Sequence, residues 1–280
     1  MSPTGVEAER VHVRISPARR LARVDLAELW EYRELLYFLV WRDVKVRYKQ
    51  TALGAAWAIL QPLATMLVFT LFFGLLAKLP SGGLPYPVFY YSGLLPWLYF
   101  AGALQEATNA MTANRGVITR VYFPRLILPL ASVLAPLVDF GVAFTLLIGL
   151  MLVYGLVPGP AVLLLPVFLL FALLCALAMG LWLAALNAMY RDVRYVVPFA
   201  IQLWMFASPV AYPSSLVPDA WRWLYGFNPM AGVIEGFRWT LLGHGRPPLP
   251  LGVSALGVLL ALGAGLLYFR RVEGAIVDRV

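Results

Sequence analysis

The apolar positions of this chain come in long blocks, not in the alternation of a half-buried strand or the three-to-four spacing of a surface helix. Six blocks approach the ~20 mostly apolar residues that a helix needs to cross a hydrocarbon core. They cover 57–78, 87–111, 126–154, 161–189, 195–212 and 251–269, the fifth being the shortest. Prolines recur inside them as Pro62, Pro96, Pro129, Pro136, Pro166, Pro198 and Pro209. Membrane helices tolerate such breaks where neighbouring helices or water satisfy the freed carbonyls. The pattern predicts an all-α integral membrane protein with six transmembrane helices.

Two segments outside the blocks also have helical patterns. In the first, 25–50, Asp25 is placed to cap a helix and Glu28, three residues on, completes a box-like start. Leu26, Leu29, Trp30, Leu36, Tyr37, Val40 and Val44 then make an approximate apolar face, and Arg42, Lys45, Arg47 and Lys49 crowd its end. This predicts an amphipathic helix lying in the membrane interface, with a soluble helix packed on a partner as the alternative. In the second, 213–250, Asn228 at a cap and Pro229 at the first helical position mark a helix start. The helix that follows is too short to cross a bilayer. Two short re-entrant helices over 218–242 are predicted between spans five and six, with Trp221, Trp223, Phe227, Asn228, Pro229, Glu235 and Arg238 forming an outer gate. Glu235 and Arg238 lie three apart and can pair on one helical face.

Composition agrees with this picture. The chain has 280 residues, 61% hydrophobic and 13% charged, against roughly 25% charged in ordinary soluble domains. Its net charge is +8. The basic residues flank apolar blocks, so membrane lipid headgroups, not nucleic acid, are the expected partners. Ten Lys and Arg precede the first span. Arg115, Arg120 and Arg125 lie between spans two and three, Arg191 and Arg194 between four and five, and Arg270, Arg271 and Arg279 in the tail. The opposite side holds four: Lys78, Arg222, Arg238 and Arg246. The positive-inside rule then puts both termini in the cytoplasm. Residues 1–24 read as a polar basic extension without the apolar core of a cleaved signal peptide. The single cysteine, Cys175, excludes an intrachain disulfide.

Catalytic patterns are missing. There is no G-x-x-x-x-G-K-[ST] loop to cradle a nucleotide phosphate. His12 and His244 have no metal-ligand partners at usable spacing, and neither Ser92-Gly93 nor Ser208-Pro209 forms a nucleophile elbow. The chain reads as a non-enzyme with no cofactor or metal of its own. Two acids fall within predicted spans, Glu106 and Asp139. An intramembrane acid is a functional candidate, but pairing with Arg or satisfying backbone at helix breaks is the favoured role here.

Several stretches carry a resemblance: Trp41-Arg-Asp-Val-Lys-Val-Arg-Tyr-Lys-Gln-Thr-Ala-Leu-Gly-Ala-Ala-Trp-Ala-Ile-Leu-Gln-Pro62, Ser92-Gly-Leu-Leu-Pro-Trp97, Tyr190-Arg-Asp-Val193, Ser208-Pro-Val-Ala-Tyr212, Asn228-Pro-Met230 and Phe269-Arg-Arg-Val-Glu273. In this order the chain resembles the membrane subunit of a type-2 ATP-binding-cassette exporter of polysaccharides such as O-antigens and teichoic acids. The resemblance implies a permease in the bacterial inner membrane, with 1–24 an extension, 25–50 the interface helix and 51–280 the transmembrane domain. It implies a homodimer and two copies of a separate ATPase that binds ATP and Mg. A lipid-linked polysaccharide would be the cargo. The loop 113–125 would be the coupling element, with Asn114, Arg115, Ile118, Thr119, Arg120 and Tyr122 as contacts, and Arg191 and Asp192 as a second contact. Asp192 has capping of the fifth helix as its alternative role. Trp57, Tyr90, Tyr91, Trp97, Phe199, Trp204 and Tyr212 would be channel aromatics on which sugar rings slide. A type-2 exporter of a drug or lipid, and an ion-coupled carrier, remain alternatives.

Overall fold

The computed structural model describes residues 26–49, 56–218, 221, 225–243 and 251–279. Every regular element among them is helical. The extension 1–24, the expected Asp25 cap, both histidines and Trp223 lie outside the described residues.

The interface segment is two helices, α1 (Leu26–Glu31) and α2 (Arg33–Lys49), broken at Tyr32. α2 lies against a short helix, α6 (Ile127–Leu134), and buries Leu39. The apolar face expected to lie in the membrane interface is divided between protein and surroundings. Leu29, Leu36 and Val40 do pack inward, but Trp30, Tyr37, Phe38 and Trp41 are all exposed. An aromatic row turned away from the protein is what a headgroup-depth helix offers the bilayer.

Among the described residues, four helical stretches are long and apolar enough to cross a membrane: Trp57–Leu76, Ile127–Val153, Pro160–Met189 and Leu251–Gly274. The first is α3 (Trp57–Phe69), which widens into a π-helical turn over Thr70–Leu76. The second joins α6 to α7 (Pro136–Val153), with Pro136 at the first position of α7, where a missing N–H costs no helical bond. The third enters through a 3-10 turn and continues as α8 (Leu165–Met189), and the fourth belongs to α11 (Leu251–Arg279).

The other two predicted spans depart from that simple form. α4 (Tyr86–Ala113) has 28 residues, ample length, but carries Gln105, Glu106, Thr108 and Asn109 among its apolar residues. α9 (Val193–Phe206) has only 14 residues and stops short of the predicted end at 212. The cause is Pro209: it has no N–H to extend the ladder and turns Ser208 away from helical backbone. The chain reverses there, Val210 N donating to Ser208 O at 2.7 Å.

α4 is the hub. It packs against α3, α6, α7, α8, α9 and α10 (Pro229–Leu242), and 19 of its 28 residues are buried. Small residues allow the closest approach: a side chain on Gly180 of α8 would come within 2.7 Å of Ala107 Cβ. Helices in lipid gain by such contact because lipid tails are as apolar as leucine. On the far side of α8, Trp182 donates to Ala261 O at 3.0 Å and stacks on Tyr268 at 4.8 Å, while Gly265 leaves room for its ring. By contrast α3 buries only Pro62 and Met66, and α9 only Val197.

Candidate functional site

Three clusters of polar side chains stand out against this apolar framework. The first surrounds α5 (Arg115–Ile118), a single turn after α4. Asn114 ends α4 and is buried. Its amide nitrogen donates to Ala110 O at 2.8 Å, and its oxygen accepts from Arg42 Nη2 of α2 at 2.8 Å. Ile118 is buried in a local core with Leu39 of α2, Phe123, Leu126 and Phe269 of α11. Arg125 donates to Glu273 O at 2.9 Å, tying the end of this loop to α11. The loop is thus seated on three elements. Of its predicted contact residues, Asn114 and Ile118 serve as roots, while Arg115, Thr119, Arg120 and Tyr122 are exposed, Tyr122 at 82%. Arg191 and Asp192 are exposed as well. Asp192 stands at the cap position of α9, but its side chain makes no capping bond, so the capping role does not hold.

The second cluster joins the end of α2 to the spans. Arg47 pairs with both Glu106 of α4 and Asp139 of α7, and Tyr48 donates to Asp139. The two intramembrane acids therefore meet an arginine, the role favoured from sequence. Arg47 itself read only as one of several basic residues at a helix end. Burial raises the Tyr48 phenol above its ordinary value against the opposing pull of the Arg47 charge, which keeps it a donor. This cluster closes one end of a cavity of about 740 Å³ between α2, α3, α4 and α7. Mostly apolar residues line the rest, among them Pro62, Leu95, Leu98 and Phe140, with Gln61 and Tyr99 between them.

The third cluster lies at the opposite end of α4. Arg238 of α10, 4% exposed, donates to Pro209 O and Val210 O at 2.6 Å each and to Phe89 O at 3.2 Å. Its guanidinium also lies 3.9 Å from the Phe89 ring centroid. Glu235 makes no direct ion pair with it, although the two charges act on each other at longer range. That acid takes a hydrogen bond from Ser214, and the predicted ion pair gives way to a set of carbonyls that a planar five-donor group satisfies better. Gly93 makes room, since a Cβ there would lie 2.5 Å from Arg238 Nη2. Asn228 caps α10 by accepting from Met230 N at 3.1 Å. It also accepts from Trp204 Nε1 at 3.0 Å and donates to Ser208 Oγ at 3.0 Å. The helix that follows has 11 of its 14 residues buried and ends at Gly243, whose φ of 65° suits glycine. This wiring packs α10 closely into the body around α4. Trp221 and Phe227, before it, are exposed.

The channel aromatics divide in two. Tyr90, Tyr91 and Trp97 are buried inside the protomer: Tyr91 donates to Ala143 O at 3.0 Å, Tyr90 stacks on Phe69, and Trp97 meets Trp204 edge-on. Their burial follows from the central position of α4. Trp57 and Phe199 are exposed, and Trp204 and Tyr212 half-buried.

Together these features describe a multi-pass, all-helical membrane protein whose polar wiring gathers at the two ends of its bundle. The chain belongs to the ABC-2 type transporter family, whose model matches residues 34–242. It is 34% identical over 253 residues to the O-antigen export system permease protein RfbA of Myxococcus xanthus, covering 88% of this chain and 95% of that one. A protein of the same name from Klebsiella pneumoniae is 28% identical over 206 residues, 73% of this chain and 79% of its own length. The polysialic acid transport protein KpsM of Escherichia coli is 27% identical over 245 residues, 84% of this chain and 92% of that one.

Proposed function

We propose that the chain is the channel-forming permease subunit of an ATP-driven exporter that moves a lipid-linked polysaccharide of the O-antigen class out of the cytoplasm. The observation that carries this is the match along 95% of a protein named an O-antigen export permease. A loop rooted on three elements with its basic and aromatic residues exposed supports the second half of the reading, a partner ATPase docking on α5. That partner, in two copies, binds ATP and Mg; this chain supplies no phosphate loop. Arg115, Thr119, Arg120 and Tyr122 meet it directly, with Arg191 and Asp192 beside them.

In this reading α4 is the second span, and α9, too short by itself at 14 residues, makes the fifth with the turn around Pro209 completing its outer end, for six in all. The basic end with α2 and α5 faces the cytoplasm, with both termini. α10 is re-entrant at the outer end, where it closes the channel as a fixed element. α3, the π-helical turn after it and α9 expose much of their apolar surface, including Leu67, Leu71, Phe199 and Leu203. Apolar surface of this kind meets lipid or another helix; in this reading a second copy covers part of it, and the homodimer would place Trp57, Phe199 and Tyr212 near its shared channel.

The test is reconstitution in vesicles with the ATPase partner and a lipid-linked O-polysaccharide. Translocation should require both subunits and ATP. Translocation by this chain alone under an ion gradient, or export of drugs with no polysaccharide, would overturn the reading.

A further inference from the structure

The cavity beside α3 has a chemistry that does not suit an anionic cargo. We propose that it holds one hydrocarbon chain of a bilayer lipid whose headgroup carries an amine, as phosphatidylethanolamine does, with the ammonium against Glu106 and Asp139. At about 740 Å³ the cavity falls within the ~300–1,000 Å³ of small-molecule sites. It exists because small residues line it. Ala58, Ala101, Gly102 and Ala143 stand where larger side chains would fill the space, and a Cβ on Gly102 would meet nothing within 4 Å. Glycine is unfavourable in mid-helix; here it keeps a wall open.

Polarity changes along the cavity in the direction a lipid requires. Glu106 marks the charged end and Leu95 the apolar end, eleven residues or roughly 16 Å apart along α4. The apolar end offers water few partners, and a void there forfeits dispersion contacts that a hydrocarbon chain restores. The charged end selects the headgroup. Arg47 neutralises one of the two carboxylates facing it, and the remaining negative charge favours a headgroup whose phosphate is offset by an ammonium over one that carries a phosphate alone. The inference goes beyond the export reading and does not depend on it, because the phosphate end of a lipid-linked glycan is what this charge balance disfavours.

The full-length chain, purified in mild detergent, is mixed with phosphatidylethanolamine, phosphatidylglycerol or a polyprenyl phosphate, and retained lipid is read by native mass spectrometry. Phosphatidylethanolamine should bind roughly tenfold more tightly than phosphatidylglycerol. Gly102→Leu should lose it. Gly141→Leu, at a position equally open but outside the cavity, should keep it. Glu106→Gln with Asp139→Asn should erase the headgroup preference. Equal retention of phosphatidylglycerol by the wild type, or undiminished lipid in a monodisperse Gly102→Leu variant, overturns the proposal. Preferential retention of the polyprenyl phosphate also overturns it and assigns the cavity to cargo. The wild-type preference is measured without any variant, so a misfolded variant leaves the test intact.

Discussion

Replacing Arg238 by Met should remove the bond that fastens α10 to the rest of the protein. The side chain is buried and serves three carbonyls. Phe89 O keeps a hydroxyl donor in Ser92 at 2.9 Å, so Pro209 O and Val210 O suffer most. An orphaned buried carbonyl costs about 1–3 kcal/mol, and the lost contact with the Phe89 ring adds about 0.5–2 kcal/mol. Relief from burying a guanidinium offsets part of this, leaving a net loss of about 2–5 kcal/mol. Lys at this position keeps the charge but not the planar fork, and should fall between wild type and Met. Gly93→Ala should act through the same contact, because its Cβ would lie 2.5 Å from Arg238 Nη2. The assay is SDS-titrated unfolding of the detergent-purified protein, run as a double-mutant cycle. The two substitutions should be clearly less than additive. A Met variant within about 0.5 kcal/mol of wild type, the usual range for an unimportant surface position, would refute the reasoning.

Arg47→Met should destabilise by roughly 1–3 kcal/mol, less than a fully buried pair because all three side chains are about one-third exposed; adding Glu106→Gln and Asp139→Asn should restore most of it in the same unfolding assay. Arg42→Ala should leave the fold intact but lower ATPase stimulation in the assembled complex by roughly 0.5–2 kcal/mol of coupling, since it loosens the root of α5. Arg115→Glu with Arg120→Glu should weaken assembly or stimulated hydrolysis more strongly, and wild-type rates in that double variant would remove the loop from the coupling role. Cysteines in 226–232 cross-linked to α9, on a background with Cys175 replaced, should leave export active, as expected of a fixed outer element; loss of export would restore the moving gate.

Much of the architecture was legible because lipid imposes simple demands. Every backbone group must bond within its own segment, so long apolar runs become helices with predictable ends. Four of the six expected blocks appear as helices within a few residues of both predicted limits, the sixth starts where expected and runs on to Arg279, and the Asn228-Pro229 start is where its capping chemistry puts it. The α9 boundary is legible too, in Pro209, whose missing N–H outweighs the apolar residues that follow it. Helical period alone could not say which face of a helix meets protein and which meets lipid, because both favour apolar residues. Hence Tyr90, Tyr91 and Trp97 read like Trp57 and Phe199, although the hub position of α4 buries the first three. Nor could spacing identify polar partners distant in sequence. Arg47 lies 59 residues from Glu106, and Arg238 lies 149 from Phe89. The nearby Glu235 looked the better mate for Arg238, yet the carbonyls freed by the Pro209 turn are aimed where its guanidinium lies. The sequence determined the helices and which residues carry charge; only the packing around α4 decided which charges meet and which aromatics are hidden.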